Sequence, residues 1–324
     1  MKDQISLREM MDIDCVQVSK VIVDFIRSKV KEKGKDGIVL GLSGGLDSST
    51  VAILAVKAMG DSTKVHALYL PDRDSQKKFK SFSQQVAEQM GVIFKEIPIT
   101  MAVREAGIYK SPFLAVTSAL PVFNRFTIWS SNKFIYPLFF KKKGFTVTLE
   151  QGASARNPFT RFIHNSLAST IEEGFNVRHR LRRKLLEDYA EHNNLLLVGC
   201  ANKSESFVGW FVKDGVDDLP VEIIMDLYKC QVRQLARYLG VPKGIVEAVP
   251  SPDMFQGVGD EDLIGFSYEK IDKVAYVIEH DLKLELAYNE GITVHEFEMI
   301  RNLNLVSAWK RQSMHEFPRL TTER

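Results

Sequence analysis

Residues 37–50 read GIVLGLSGGLDSST, and their reading decides the fold. A short apolar run stops at a serine and two glycines, and VAILAVKAM then continues to Gly60. The pattern predicts a buried strand, a tight turn, and a helix from Ser48 to Met59 closed by glycine. Where a strand turns into a helix through glycines, the free N–H groups of the first helical turn point outward and the helix dipole favours an anion. The ligand expected there is a phosphate. Two common phosphate loops do not fit. A Walker A loop needs a lysine after its glycines, and residues 39–46 lack the GxGxxG spacing of a dinucleotide fold. An acid, Asp47, stands beside the expected phosphate instead. Two negative groups repel unless a cation lies between them, which predicts Mg²⁺ shared by Asp47 and phosphate oxygens. Ser43, Ser48 and Ser49 can donate hydrogen bonds to the phosphate.

Outward from this stretch the chain alternates. Helical spacing over 14–32 precedes it. A strand at 64–71, a helix at 75–90 closed by Gly91 and a strand at 92–99 follow. Strand–helix alternation with short connections predicts parallel strands in a doubly wound α/β sheet. The rhythm breaks at 111–164, a segment dense in aromatic and basic residues with proline and glycine breaks, read as an insertion. It resumes with a long helix at about 166–192, a strand at 195–201, a helical KSESFVGWFV at 203–212 and an amphipathic helix at 228–240. Residues 267–324 read as helical with a polar tail. The expected organisation is 1–110 and 165–266 as the two halves of the α/β domain, 111–164 as a lid or interface, and 267–324 as a helical extension.

The totals narrow the classes. The 324 residues are 45% hydrophobic and 26% charged, with a net charge of +2, which gives no electrostatic reason to expect a nucleic-acid partner. The three cysteines, Cys15, Cys200 and Cys230, are far apart and suggest neither a disulfide framework nor a zinc site. The charged N-terminus has no apolar core of a signal peptide, and no run is long and apolar enough to span a membrane. The default expectation is a cytoplasmic protein.

The pattern Ser43-Gly44-Gly45-x-Asp47-Ser48 resembles the pyrophosphate loop of the ATP pyrophosphatases, which split ATP between its α and β phosphates. Further segments resemble the ammonia-dependent NAD synthetases: LPDRDS (70–75), GCANKSESFVGWFVKDG (199–215), DLYKCQVRQLARYLGVP (226–242), PSPD (250–253) and DEDLIGFSYEKID (260–272). The resemblance implies an adenine-nucleotide α-hydrolase-like fold. It also implies a ligase that adenylates the carboxylate of deamido-NAD and amidates it with ammonia, releasing AMP and pyrophosphate. It implies ATP contacts from Gly41, Ser43, Gly44, Gly45, Asp47, Ser48, Cys200, Lys229 and Ser251, with Asp47 and Lys229 catalytic. Asp47 and Glu205 match the magnesium carboxylates. Arg180, Lys213, Asp217 and His315 are the candidates for the dinucleotide substrate. A homodimer is implied as well. No glutaminase region is recognised, so ammonia is expected to arrive free or from a separate donor.

The chain departs from the family pattern at several points. Cys200 and Ser251 replace other small residues, His179 and Arg183 alter the arginine run at 176–183, and Pro220, Ile223 and Glu316 stand where aspartate, proline and lysine are usual. Two other readings stay open: an amide-forming ligase acting on another carboxylate, and a non-catalytic adenine-nucleotide-binding protein. Arg178, Arg180, Arg182 and Arg183 could equally form a solvated helix face, and Cys200 is read as a small buried residue rather than a nucleophile.

Overall fold

The computed structural model describes residues 6–110, 126, 129–150, 158–164, 170–253 and 257–320. Four parallel strands form one sheet: β1 (Gly37–Gly41), β2 (Val65–Tyr69), β3 (Ile93–Glu96) and β4 (Leu195–Leu197), in the order β3-β2-β1-β4. Successive side chains of a strand face opposite sides of its sheet. Here Ile38 and Leu40 enter one apolar core while Val39 enters another, and Leu196 and Leu195 divide in the same way. Both faces are therefore covered, as the continuous apolar runs of a doubly wound sheet require.

The first core holds α1 (Cys15–Glu32), α2 (Leu46–Met59) and α3 (Lys77–Met90). On the other face lies α4 (Thr170–His192), through Leu186 and Ala190. Asp14 starts α1 by accepting from the amides of Val16 and Gln17, and Gly60 and Gly91 end α2 and α3 with φ of 67° and 65°. The helical connections α5 (Lys203–Val208), α6 (Lys229–Leu239) and α7 (Asp260–Ile264) lead to α8 (Tyr268–Glu279) and α9 (Val294–Val306). These last two, with Phe207 of α5, build a further core of Phe207, Tyr268, Ile271, Val274, Phe297 and Ile300. Asp272 of α8 accepts from the Cys230 amide at 2.8 Å and from Ser204 Oγ, and Ser204 Oγ accepts from the Lys229 amide at 2.8 Å. A buried carboxylate thus satisfies the N-terminus of α6 and fixes where Lys229 starts.

Several elements are shorter than their sequence patterns suggest. The strand expected at 195–201 stops at Leu197 because the chain then turns to pair elsewhere: the Gly199 amide donates to Val221 O at 2.7 Å. The strand expected at 92–99 is Ile93–Glu96. The helix expected over 203–212 ends at Val208, where Gly209 adopts φ 75°. The polar tail is not a free or helical end. The Glu316 amide donates to Pro220 O at 2.8 Å and the Glu222 amide donates to Glu316 O at 2.9 Å, so the tail runs as an extended segment beside residues 220–222. Pro220 has no N–H to offer, and the tail uses only its carbonyl. In the insertion, helical turns occupy 131–140, Gly144–Leu149 and Pro158–His164, and much of the rest lies outside the described residues.

Candidate active site at the β1–α2 turn

The site begins where the apolar run of β1 ends. Gly44 holds φ 79°, and a Cβ there would lie 2.2 Å from Phe79 O, so only glycine fits the turn. Gly45 is the N-cap of α2 and provides no side-chain cap, which leaves the first-turn amides available to a ligand. Ser43 and Ser48 place their hydroxyls 3.0 Å apart, and Ser49 Oγ donates back to Gly45 O at 2.7 Å. Asp47, in the first turn of α2, aims its carboxylate across the mouth of the turn.

Two further elements meet Asp47, and a third closes the group around Glu205. Lys229, at the start of α6, sets its Nζ 2.5 Å from Asp47 Oδ2 and 3.1 Å from Glu205 Oε1. Asn202 caps α5 by accepting from the Glu205 amide at 3.0 Å, and its Nδ2 donates to Asp47 Oδ1 at 3.3 Å. Tyr268 donates toward Glu205 Oε1 and Asp260 Oδ2, at 3.3 and 3.1 Å. The second oxygen of Asp260 is buried without a well-formed hydrogen bond among the described residues. Burial pushes the Glu205 carboxyl upward, with Lys229 pulling the other way, and pushes Asp260 up to about 6. Three carboxylates thus surround one lysine, and the site has more negative charge than it neutralises by itself. No group of three or more potential protein ligands stands close enough to hold a metal alone, among the described residues. A metal bound by Asp47 and Glu205 would take its remaining ligands from phosphate and water, as magnesium commonly does.

One cavity of ≈ 520 Å³ receives most of the residues singled out in the sequence: Gly41, Ser43, Gly45, Asp47, Ser48, Arg180, Cys200, Glu205, Lys213, Asp217, Lys229 and Ser251. Gly44 shapes the turn beneath it. His315 does not line it. Its Nε2 lies 3.1 Å from Asp218 Oδ1 and its Nδ1 2.8 Å from Leu219 O, so it pins the tail against residues 218–219. Glu316 faces away from the cavity and pairs with Lys29 of α1 and with Lys33 at its C-cap, at 2.5 and 2.6 Å, which accounts for an acid at that position. Burial and neighbouring Glu222, Asp47 and Glu205 push the Cys200 thiol well above its ordinary pKa, which disfavours the thiolate that a nucleophile needs. Gly199 beside it has a steric reason: a Cβ would lie 2.2 Å from both carboxyl oxygens of buried Glu222, which accept from the Ala201 and Leu219 amides.

The arginine run is only partly a solvated face: Arg180 is exposed, Arg182 and Arg183 are half-buried, and Arg178 turns inward. Arg178 is fully buried, bound to Asp72 and, at 2.8 Å, to Asp74. Arg73 completes this group by pairing with Asp74 at 2.9 Å, and its guanidinium stacks 3.9 Å over Tyr109. The group ties α4 to the loop after β2 and thereby sets Arg180 on the cavity wall. At the far end Phe145 and Phe175 pack edge-on against Trp210, at 5.2 and 6.0 Å. Lys310 donates there to Gly209 O at 2.7 Å and to Phe211 O, and burial lowers its pKa to about 8. Asn202, Asp260, Tyr268, Arg178 and Lys310 were not foreseen as site residues. Only the N-cap pattern Asn-x-x-Glu at 202–205 was a local signal for any of them. The others depend on contacts far apart in sequence.

An anion-binding helix start that faces a lysine among carboxylates is suited to gripping a polyphosphate and to activating an oxygen nucleophile against it. The class is that of the nucleotide-consuming ligases. The NAD synthase family matches residues 18–112 and 144–314, and the chain belongs to it. It is 37% identical over 259 residues to the NH3-dependent NAD+ synthetase of Coprothermobacter proteolyticus, covering 78% of this chain and 81% of that one. The NH3-dependent NAD synthetase of Campylobacter jejuni, solved with a nitrate ion, superposes with a TM-score of 0.62 at 25% identity, over 93% of this chain and 98% of that one. The NMN synthetase of Francisella tularensis shares the fold, with a TM-score of 0.66 at 24% identity over 93% and 98% of the two chains.

Proposed function

We propose that this chain makes NAD by amidating deamido-NAD with ammonia at the expense of ATP. The observation that carries the reading is the meeting of Asp47, Glu205 and Lys229 at the mouth of the Gly44–Gly45 turn. The amides of the turn, with Gly41, Ser43 and Ser48, would cradle the β and γ phosphates, and Cys200 and Ser251 would border the nucleotide. Lys229 would neutralise charge that builds on the phosphates as a carboxylate oxygen of the acceptor attacks the α-phosphorus. Pyrophosphate leaves, and ammonia then displaces AMP from the acyl-adenylate to give the amide. Mg²⁺ fits the surplus of carboxylates, with Asp47 and Glu205 as its protein ligands, and when bound would stabilise the negative charge of the departing pyrophosphate. Arg180 and Lys213 would pair with the acceptor's phosphates, with Asp217 beside them. His315 would act through the tail it pins. No helix among the described residues is long and apolar enough to cross a membrane. The same reading takes a cytoplasmic setting, with ammonia free or from a separate donor.

Pyrophosphate release over a panel of carboxylates tests the reading. Deamido-NAD should stimulate ammonia-dependent release strongly. Stimulation by a different carboxylate alone would make the chain an amide-forming ligase of other specificity. Binding of ATP with no release under any acceptor would leave a nucleotide-binding protein.

The homodimer has its own support. Trp129, Phe134, Leu138 and Phe159 are exposed on the insertion, an apolar surface of the kind that pairs with a partner. Light scattering should give twice the chain mass, and Leu138→Glu should return it to the monomer value. A monomeric wild type would remove this part of the reading.

A further inference from the structure

Residues 113–143 fall between the two stretches matched by the NAD synthase family, yet Ser131, Asn132 and Tyr136 line the main cavity. The segment is built onto the site rather than hung beside it. Asn132 Nδ2 donates to Asp262 O at 3.0 Å, and its Oδ1 accepts from the Gly144 amide at 3.0 Å. Lys143 donates to Gly265 O and lies 3.7 Å over the Phe266 ring. These contacts grip α7 along its length and at its end, and α7 starts with Asp260, one of the three carboxylates around Lys229.

Tyr136 is only 5% exposed. Its ring packs 5.3 Å from that of Phe140, and Gly144 approaches so closely that a Cβ there would lie 2.9 Å from Tyr136 Cε2. Its hydroxyl makes no hydrogen bond among the described residues, and burial holds it protonated, with a pKa pushed up to about 12. Among the described residues the fully buried side-chain atoms without a partner are Asp218 Oδ1 and Asp260 Oδ1, so the Tyr136 hydroxyl keeps open surface at the cavity wall, where a ligand oxygen can meet it. A chain of contacts places Tyr136 within the cavity. Gly144 precedes Phe145, whose ring packs on Trp210, and Trp210 follows α5, which carries Glu205. Tyr136 therefore belongs to the aromatic end of the cavity, whereas the phosphates of ATP belong at the β1–α2 turn.

We propose that Tyr136 is a specificity-determining residue of the acceptor site. Its hydroxyl hydrogen-bonds a phosphate or ribose oxygen of a nicotinate nucleotide, and Asn132 is the positioning residue that holds it there. The proposal rests on the reading that the acceptor is a nicotinate nucleotide. A site built to hydrogen-bond its substrate loses affinity when that bond is removed, because the substrate's own polar group is then left unpaired.

The test is steady-state pyrophosphate release by the full chain, with deamido-NAD and then nicotinate mononucleotide as acceptor. Tyr136→Phe keeps the ring and its packing, and should raise the acceptor KM about tenfold while leaving the ATP KM within about twofold. Asn132→Ala should raise the acceptor KM as well, and adding Tyr136→Phe to it should cost little more, because the two act on one contact. An unchanged acceptor KM in Tyr136→Phe overturns the proposal, and so does an equal rise in both KM values. A loss confined to kcat and melting temperature would show a purely structural role and also overturn it. If the wild type releases pyrophosphate with neither nucleotide, the functional reading fails and takes this proposal with it. Release by the wild type with unaltered KM values in the variants removes this proposal alone.

Discussion

Asp47→Asn is expected to lower pyrophosphate release roughly a thousandfold while the protein stays folded. The side chain keeps its shape, and the oxygen that accepts from Asn202 Nδ2 at 3.3 Å can still do so. What changes is the other atom. An amide N–H₂ would face Lys229 Nζ, which now lies 2.5 Å from Asp47 Oδ2, so a donor would meet a donor. The charge that draws a metal toward the phosphates would also be lost. Removing one well-placed electrostatic group from such a site commonly costs about 10²–10³ in rate, and a metal ligand can cost more. The check is release at saturating ATP, acceptor and ammonia, with circular dichroism to confirm the fold. Release at the wild-type rate would reject the role given to Asp47.

Lys229→Met should be the most damaging substitution overall, because it strikes both chemistry and stability. Lys229 is 2% exposed and is the cation that Asp47 and Glu205 share. Its ammonium is held well above the ordinary lysine range by those carboxylates against the opposing effect of burial. Without it, Asp47, Glu205 and Asp260 face one another across a buried space. Breaking a buried ion pair by removing one partner costs about 3–5 kcal/mol. The sign of the pH dependence follows. Glu205 and Asp260 have folded-state pKa values raised by burial, so the folded state holds protons that the unfolded chain has released. Stability contributed by such groups is lost as pH rises from the unfolded carboxylate pKa through the raised folded one. Removing Lys229 raises both values further and widens the window. The melting temperature of Lys229→Met should therefore fall between about pH 5 and 8 more steeply than that of the wild type. Parallel profiles would show that Lys229 does not neutralise these carboxylates.

Much of the fold was legible because its signals are local. The apolar run over 37–42, the glycines that close α2 and α3 and the alternating pattern to 96 each need only a few neighbours, and the structure follows them. The nucleotide half of the site was legible for the same reason, since residues 41–48 are continuous in the chain. The rest was hidden by distance. Asp260 reaches Lys229 only once α7 and α8 have packed. Arg178 reads as one of several arginines on a helix until the loop at 72–74 folds over it. Glu316 looks like a misplaced charge until α1 brings Lys29 and Lys33 beside it. The tail could not be read as a pairing segment because its partner carbonyl belongs to a proline, which weakens any strand signal there.

Arg73, Asp72, Asp74 and Arg178 also bear on how this chain can change over time. Two arginines and two aspartates balance one another where α4 meets the loop after β2, and Arg178 and Asp72 have no exposed side-chain surface. Losing any one member strands a charge in the interior, so a single substitution passes through an unstable intermediate even when the final set would be sound. Drift at these positions is therefore expected in matched exchanges, such as a neutral residue arriving on α4 together with one in the loop. The wall that presents Arg180 can be remodelled only by moves of that kind, and an engineer seeking a new acceptor would do better to vary the cavity-facing residues and leave this quartet whole.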